Sequence, residues 1–137
     1  NPKNLHLEIT ETAIIENLKA NLPLINKLRD AGFQVEMDDF GNGQSSLNSL
    51  MNIDVDVLKV DMGFLRKTEN VERSMTILRK VIELARSLDL KLIIEGVETQ
   101  EQVDFLIKNG CDVFQGFHFA RPMKISDFEE KYLSVQA

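Results

Sequence analysis

Residues 33–43 read FQVEMDDFGNG, a β-like run that ends in two adjacent aspartates and leads directly into a glycine-rich turn. Apolar and polar residues alternate from Phe33 to Asp38, which is the period-two pattern of a strand with two different faces. Neighbouring carboxylates repel each other, so this strand end needs a compensating cation or proton. A purely local alternative is an Asx-type turn, in which Asp38 and Asp39 serve only to reverse the chain.

Four further β-like runs belong to the same pattern, at residues 5–9, 56–61, 91–95 and 112–117. Helical patterns separate most of the runs, and the clearest covers residues 70–90, where apolar residues recur at helical spacing. Alternating strands and helices predict a parallel sheet with right-handed crossovers. No linker rich in proline, glycine or serine interrupts the chain. We therefore expect an α/β fold in which residues 1–137 form a single domain.

Composition excludes several functional classes. The hydrophobic share of 43% and the charged share of 28% are ordinary for a soluble globular protein. No apolar run approaches the roughly 20 residues of a membrane span, so no membrane segment is expected in this chain. The single cysteine, Cys111, excludes an internal disulfide and agrees with a reducing, cytoplasmic location. A net charge of −6 without a basic stripe argues against binding to DNA or RNA polymers.

Polar side chains recur late in the predicted strands, on the face that points away from the helices. The set comprises Glu8, Asp38, Asp39, Lys59, Asp61, Glu95 and Gln115. Buried parallel strands normally read as continuous aliphatic runs, so this pattern is unusual. If the strands curl into a barrel, their carboxyl ends meet at one mouth, which is where barrel active sites lie. Converging carboxylates need a cation, and oxygen-rich clusters suit Mg²⁺, Mn²⁺ or Ca²⁺.

Taken singly, these residues have simpler interpretations. Glu11 and Glu98 each lie next to a helix start, where the helix dipole favours a carboxylate. Lys59 and Asp61 can form a salt bridge, and Gln115 can be a hydrogen-bonded core amide. Neither histidine has the spacing of a zinc ligand, and the chain has neither a nucleophile elbow nor a P-loop lysine. As a group, the residues favour metal-assisted chemistry with a lysine beside the metal.

Five stretches, in chain order, resemble the motifs of the EAL-domain family of cyclic di-GMP phosphodiesterases: LEITE, MDDFGNGQSS, LKVD, IEGVE and GCDVFQGFHFARP. The resemblance runs from about Leu5 to Pro122. It implies a modified TIM barrel that hydrolyses one phosphodiester bond of cyclic di-GMP to a linear dinucleotide with Mg²⁺ or Mn²⁺, as two ions. A complete (β/α)8 barrel needs about 250 residues. Residues 1–137 therefore correspond to its C-terminal part, with about five strands.

The resemblance also implies a role for each polar residue. Glu8 and Asp38 are implied metal ligands, with Asp38 bridging two ions and Asp39 contacting the second. Lys59 is implied to hold the attacking water or the phosphate charge, with Asp61 nearby. Glu95 is implied to be the general base or a ligand of the second metal.

Three further residues take supporting roles by the same resemblance: Gln115 as a contact to substrate or water, Glu98 as support for the site, and Glu11 as a brace for the loop after Asp39. Asn42 and Gln44 depart from the family, which usually has threonine and an aromatic residue there. That loop is thought to couple dimerisation to metal binding, so a homodimer is a further implied partner.

The Glu-Ala-Leu motif and an asparagine-bearing strand of the family are absent. Two metal ligands would then come from an N-terminal half, and we expect residues 1–137 alone to be inactive or nearly so. One alternative is a non-catalytic module that binds cyclic di-GMP or another protein, since degenerate family members work in this way. A second alternative is a metal-dependent barrel enzyme of another kind, such as one that forms an enolate.

Overall fold

The protein was examined as a computed structural model that describes residues 1–41, 46–63 and 70–133, without the side chains of Ser46 and Asn48. Four parallel strands form one sheet in chain order: β1 (His6–Thr10), β2 (Gln34–Asp38), β3 (Val57–Asp61) and β4 (Lys91–Glu95). Sequential neighbours in a parallel sheet require a crossover between each pair, as the alternating pattern predicted.

Helices fill the crossovers and the C-terminal region: α1 (Glu11–Glu16), α2 (Leu18–Asp30), α3 (Ser46–Asn52), α4 (Val71–Ser87), α5 (Gln100–Lys108) and α6 (Ile125–Phe128). A 3₁₀ turn (Pro2–Asn4) precedes β1, and a π-helical turn (Glu129–Leu133) follows α6. Local signals explain several helix starts. Thr99 and Gln102 form a capping box on α5, and the Asn70 side chain accepts a hydrogen bond from Arg73 N–H at the start of α4. Within the described residues, no helix is both long and apolar enough to cross a membrane.

One face of the sheet carries the apolar core. Val35, Met37, Leu58, Val60 and Ile94 have no exposed surface. They belong to one cluster with helix residues that include Ile14, Ile25, Leu78, Ile82 and Leu106. Burying each such side chain stabilises the fold by about 1.5–3 kcal/mol. The core therefore anchors the sheet to its helices and leaves the opposite face free for polar residues.

The fifth predicted strand, residues 112–117, is reduced to a single bridge between Ile94 and Phe114, so the expectation of about five strands is corrected to four strands within the described residues. Gln115 N–H donates to the Ile94 carbonyl at 2.8 Å, and Ile94 N–H donates to the Val113 carbonyl at 3.2 Å. Gly96 then adopts a φ of 71°, outside the extended range, and the two segments stay in contact beyond it through a hydrogen bond from Val97 N–H to the Gln115 carbonyl at 3.2 Å.

Asp56 joins the starts of three strands and was missed by the sequence analysis. Its backbone N–H donates to the Val35 carbonyl at 2.9 Å, and its Oδ2 accepts from Val35 N–H at 2.9 Å. Oδ1 accepts from Nε and Nη2 of Arg29 on α2, at 3.2 and 3.1 Å. Its carbonyl also accepts from Lys91 N–H at 3.3 Å. The hydrogen bonds of Asp56 thus fix the positions of β2, β3 and β4 relative to one another along the strand direction.

We predict that Asp56→Ala lowers the free energy of unfolding by about 1.5–3 kcal/mol, because Val35 N–H and Arg29 both lose a charged acceptor. Urea unfolding followed by far-UV circular dichroism measures the change. Asp54→Ala is the matched control, since Asp54 is an exposed carboxylate two residues away, and we expect it to change stability by less than about 0.5 kcal/mol. Equal losses in the two variants would contradict the role of Asp56.

Candidate functional site

The second face of the sheet is lined by polar residues in register. Parallel pairing aligns Glu8 with Glu36, Thr10 with Asp38, Lys59 with Ile93, and Asp61 with Glu95. Paired residues of parallel strands point to the same side, so the period of two places most of the ionisable strand residues on this face. Thr10, Asp38, Asp61 and Glu95 are the last residues of their strands. Polar groups from all four strands therefore meet at the carboxyl edge of the sheet.

Lys59 lies at the centre of this edge. Its Nζ is 2.7 Å from Glu8 Oε1, 2.9 Å from Glu95 Oε1 and 3.8 Å from Asp38 Oδ1, and the residue is only 3% exposed. The sequence alternative of a salt bridge with Asp61 does not describe this arrangement, because the partners of Lys59 come from neighbouring strands. The structure brings together four of the predicted site residues through one ammonium group.

The environment of Lys59 keeps it charged. Burial alone lowers the pKa of an amine, but hydrogen bonds to Glu8 and Glu95, with attraction from Glu95 and Asp38, outweigh burial and raise the pKa of Lys59 well above its usual range. The ammonium therefore persists at every pH at which the protein would work. Lys59 can stabilise negative charge, but it cannot accept a proton.

Asp38 and Asp39 differ in their environments although they are adjacent. Asp38 Oδ1 accepts a hydrogen bond from Asp39 N–H at 2.9 Å, so the local turn interpretation holds in part. The same oxygen also faces Lys59, which the turn interpretation did not require. Asp39 is exposed and has a φ of 59°, a left-handed conformation that is uncommon for a residue other than glycine. Phe40 then returns to the core, leaving Asp39 at the rim of the site.

Asp61 is held in place by backbone and glycines. Its Oδ1 accepts a hydrogen bond from Gly63 N–H at 2.6 Å. A Cβ on Gly96 would lie 2.8 Å from the same oxygen, so the glycine of the IEGVE stretch makes room for this carboxylate. Asp61 is therefore oriented towards the end of β4, and its side chain is not available as the partner of Lys59.

A cavity of about 420 Å³ opens beside these residues. It is lined by Asp61, Glu95, Glu98, Gln115 and Phe117, together with Gly63, Gly96 and Gly116. Its volume is in the range of small-molecule sites. A cavity of about 520 Å³ lies near the start of β4 and is lined mainly by apolar residues, with His6 and Lys91 at its edge. The smaller cavity is the better candidate because it contains four of the predicted site residues.

Two predicted supporting residues take defined positions. Glu11 is 1% exposed and accepts a hydrogen bond from Ser49 Oγ at 3.2 Å, which ties α1 to α3. Glu98 lines the cavity and also begins the turn into α5, where its N–H donates to Gln102 Oε1 at 2.7 Å. Both the structural and the functional interpretation of Glu98 are therefore compatible with its place. Glu11 was predicted to brace the loop after Asp39. The part of that loop that contains Asn42 and Gln44 lies outside the described residues.

The sequence analysis missed a second acid–base contact on this face. Glu36 is 3% exposed, and its Oε1 is in contact with His6 Nδ1. Lys91 Nζ donates to Gln34 Oε1 at 3.2 Å in the same layer. The period of two already placed Glu36 on the face of Asp38, but the partner on β1 could not be identified without the strand register.

The donor set suits a hard divalent cation in its chemistry. Glu8, Asp38 and Glu95 carry three negative charges against one positive charge on Lys59, which leaves −2 in formal charge. Oxygen-only donors are those that Mg²⁺ and Mn²⁺ prefer. In the part of the chain that the structure describes, no three His, Cys, Asp or Glu residues are grouped closely enough to hold a metal by themselves.

Comparison with known proteins gives consistent matches. The family model described as EAL domain matches residues 1–122. The cyclic di-GMP phosphodiesterase NbdA of Pseudomonas aeruginosa is 41% identical over 126 residues, which is 92% of this chain and 16% of that protein. The chain thus spans less than a fifth of this curated relative.

Solved structures agree with the sequence matches. The EAL domain of Mycobacterium smegmatis DcpA has a TM-score of 0.87 at 33% identity, over 98% of this chain and 60% of that chain. Klebsiella pneumoniae BlrP1, in a complex with manganese and cyclic di-GMP, has a TM-score of 0.81 at 34% identity, over 89% of this chain and 31% of that chain.

We predict that Lys59→Met lowers the free energy of unfolding by about 2–4 kcal/mol at pH 8, because three carboxylates lose their shared cation. Contact of some of these carboxylates with water limits the loss. Because the pKa of Lys59 is raised in the folded protein, its contribution to stability is complete at pH 8 and is lost only as the pH rises above the ordinary lysine range. Urea unfolding at pH 8 provides the measurement. Lys91→Met, which removes an exposed lysine from the same face, is the control and is expected to change stability by less than about 1 kcal/mol. A loss for Lys59→Met that is no larger than the loss for Lys91→Met would contradict charge compensation.

Proposed function

This chain belongs to the EAL domain family, and from that premise we propose that residues 1–137 form the C-terminal part of a single barrel domain that hydrolyses cyclic di-GMP. The family assignment and the α/β barrel class were predicted from the motifs and are confirmed. Similarity to NbdA, which is named a cyclic di-GMP phosphodiesterase, supports the proposed activity. The complex of BlrP1 with manganese and cyclic di-GMP supports the proposed ligand and the use of a divalent metal.

One observation carries the proposal: the buried Lys59 ammonium lies among Glu8, Glu95 and Asp38 at the carboxyl edge of a parallel sheet. Barrel enzymes place their chemistry at this edge. A fixed positive charge within a carboxylate cluster is suited to a reaction in which a phosphate gains negative charge. A purely structural ion pair would not require three acids around one lysine.

We assign metal binding to Glu8, Asp38 and Asp39, with Mg²⁺ or Mn²⁺ as the ion and two ions as the proposed number. When bound, such ions lower the pKa of water and stabilise charge on phosphoryl oxygens. Asp38 Oδ1 faces Lys59 at 3.8 Å, and the adjacent Asp39 is exposed at the rim of the site. Ligands beyond these three would come from outside this chain.

The remaining residues act on the substrate and on protons. Glu95 accepts a proton from the attacking water as the water oxygen bonds to phosphorus and the P–O ester bond breaks. The leaving sugar oxygen takes a proton from solvent, which gives the linear dinucleotide. Lys59 holds Glu95 by a 2.9 Å contact and stabilises the charge that develops on the phosphoryl oxygens. Asp61, Glu98 and Gln115 line the cavity in which the substrate would lie. A cytoplasmic location and a homodimeric state belong to the same proposal and rest on the family resemblance.

A non-catalytic module that binds cyclic di-GMP or another protein is the second candidate. It is favoured by the position of Lys59, whose ammonium already compensates part of the carboxylate charge at the place where a cation would be expected. Within the described part of the chain, no three His, Cys, Asp or Glu residues are grouped closely enough to hold a metal ion, which points the same way. Activity measurements on variants distinguish the two candidates.

We predict that Glu95→Gln and Asp38→Asn each reduce cyclic di-GMP hydrolysis by at least about 10²-fold in the natural protein that contains residues 1–137, because a base or a metal ligand is lost. Chromatographic quantification of the linear dinucleotide, with Mg²⁺ or Mn²⁺ present and after chelation, measures the rate. Glu83→Gln is the control, since Glu83 is an exposed acid on α4 that pairs with Lys80. Rates within a few-fold of the parent for both site variants would refute the assignment, and binding without hydrolysis by the parent would establish the module.

The isolated segment gives an independent test of the barrel proposal. We expect purified residues 1–137 to hydrolyse cyclic di-GMP at least about 10²-fold more slowly than the natural protein, because the metal site would lack ligands. The same chromatographic assay applies, with circular dichroism to confirm that the segment is folded. Metal-dependent hydrolysis at a comparable rate by a monomeric 137-residue segment would contradict the proposed division of the site.

A further inference from the structure

The contact between His6 and Glu36 lies beneath two of the proposed metal ligands, towards the amino ends of the strands. His6 precedes Glu8 by two residues on β1, and Glu36 precedes Asp38 by two residues on β2. Residues two apart on a strand share a face, so all four belong to the polar side of the sheet. None of the roles assigned above uses His6 or Glu36.

This contact joins the two strands diagonally. The register pairs His6 with Gln34, whereas His6 Nδ1 contacts Oε1 of Glu36, two residues further along β2. The Glu36 side chain is 4% exposed, and a buried carboxyl group is costly without a hydrogen-bonding partner. A diagonal contact is stretched or compressed when one strand slides along the other. The His6–Glu36 contact therefore opposes sliding of β1 along β2.

The position of β1 has few other constraints at the amino end of the sheet. β1 is the first strand of the described sheet and pairs there with β2 alone. The hydrogen bonds that the structure describes for Asp56 join β2, β3 and β4 and do not reach β1. At this end of the polar face, the position of β1 against β2 thus depends on backbone pairing and on the His6–Glu36 contact.

The proposed metal site requires β1 and β2 to be aligned closely. Glu8 and Asp38 approach the same nitrogen of Lys59, at 2.7 and 3.8 Å. An Mg²⁺ or Mn²⁺ ion held by both carboxylates needs an oxygen of each within roughly 2.0–2.6 Å. A shift of β1 by a fraction of the residue rise, which is about 3.3 Å, would take one oxygen out of this range.

From this geometry we infer that His6 and Glu36 are positioning residues of the metal site, whose contact fixes Glu8 relative to Asp38 along the strand direction. The inference rests on the function proposed above, which assigns Glu8 and Asp38 to the metal. Contacts outside the ligand shell orient metal ligands in many proteins, and their loss weakens metal binding. Here the contact acts through the relative position of two strands, and neither His6 nor Glu36 binds the ion.

The test measures the Kd for Mn²⁺ by electron paramagnetic resonance of the free ion, in the natural protein that contains residues 1–137. We expect His6→Leu and Glu36→Leu each to raise this Kd by about 5- to 20-fold, at the lower end of the effects of outer contacts. Glu36→Gln keeps the Kd within about three-fold, because its amide oxygen still accepts a hydrogen bond from His6. The double leucine variant binds no more weakly than either single variant, since both remove one contact.

Gln34→Leu is the matched control. Gln34 lies in the same layer of β2, but its side chain accepts from Lys91 on β4 and makes no contact with β1 in the part of the chain that the structure describes. We expect its Kd for Mn²⁺ to stay within about two-fold of the parent, as for a substitution away from the metal ligands and their contacts. A loss equal to that of His6→Leu would overturn the inference.

Hydrolysis of cyclic di-GMP supplies a second readout. In His6→Leu, the Mn²⁺ concentration for half-maximal rate rises in parallel with the Kd, while kcat at saturating Mn²⁺ stays within about three-fold. Circular dichroism confirms that each variant is folded. If Glu36→Leu does not fold, His6→Leu decides, since the His6 side chain is 44% exposed and its replacement leaves the core intact.

Three outcomes count against the inference. An unchanged Kd for Mn²⁺ in folded His6→Leu, with binding and hydrolysis by the parent intact, would overturn it alone. Equal losses in Glu36→Gln and Glu36→Leu would show that Glu36 acts by its charge and would also overturn it. Absence of Mn²⁺ binding and of hydrolysis in the parent would overturn the proposed function as well.

Discussion

Charge compensation by Lys59 is the constraint on which the rest of the site depends. A buried ammonium without a partner would be costly, and carboxylates from adjacent strands without a cation would repel each other. Each group therefore stabilises the charged form of the other. Because Glu8, Asp38 and Glu95 come from three different strands, their shared contact with Lys59 links β1, β2, β3 and β4 across the polar face. The site and the sheet are consequently stabilised by the same interaction.

This constraint explains why the sheet has two unlike faces. The helix-facing side is aliphatic and dry, and it provides the hydrophobic stabilisation that polar residues on the other side do not contribute. On the polar side, close contacts between backbone segments hold the residues in place instead. Gly96 leaves room for Asp61, and Gly116 lets the Gln115–His118 segment touch the backbone of Val97. These glycines are therefore placed where a Cβ would separate the acidic residues from the segment that closes the cavity.

Sequence reasoning succeeded where a local pattern determines the outcome. The alternation of apolar and polar residues identified β1 to β4, and the period of two placed Asp38 and Lys59 on the face away from the helices. It failed where the partner lies on another strand. Lys59 was paired with Asp61 as the simple alternative, yet its partners are Glu8 and Glu95, which are 51 and 36 positions away in the numbering of the chain. The contacts of Glu36 with His6, and of Asp56 with three strands, depend on register in the same way.

The protonation of Lys59 limits the chemistry that this site can perform. A lysine held as an ammonium cannot remove a proton from water, so the proton acceptor has to be a carboxylate. Among the acids in contact with Lys59, Glu95 also lines the cavity, whereas Glu8 and Asp38 do not. Lys59 Nζ lies 2.9 Å from Glu95 Oε1, so the lysine fixes the position of this carboxylate at the cavity wall. In the proposed reaction, a divalent cation beside the water would make the water easier to deprotonate. The lysine and the acid would then have separate tasks, because Glu95 would take the proton and Lys59 would stabilise the charge on the phosphate.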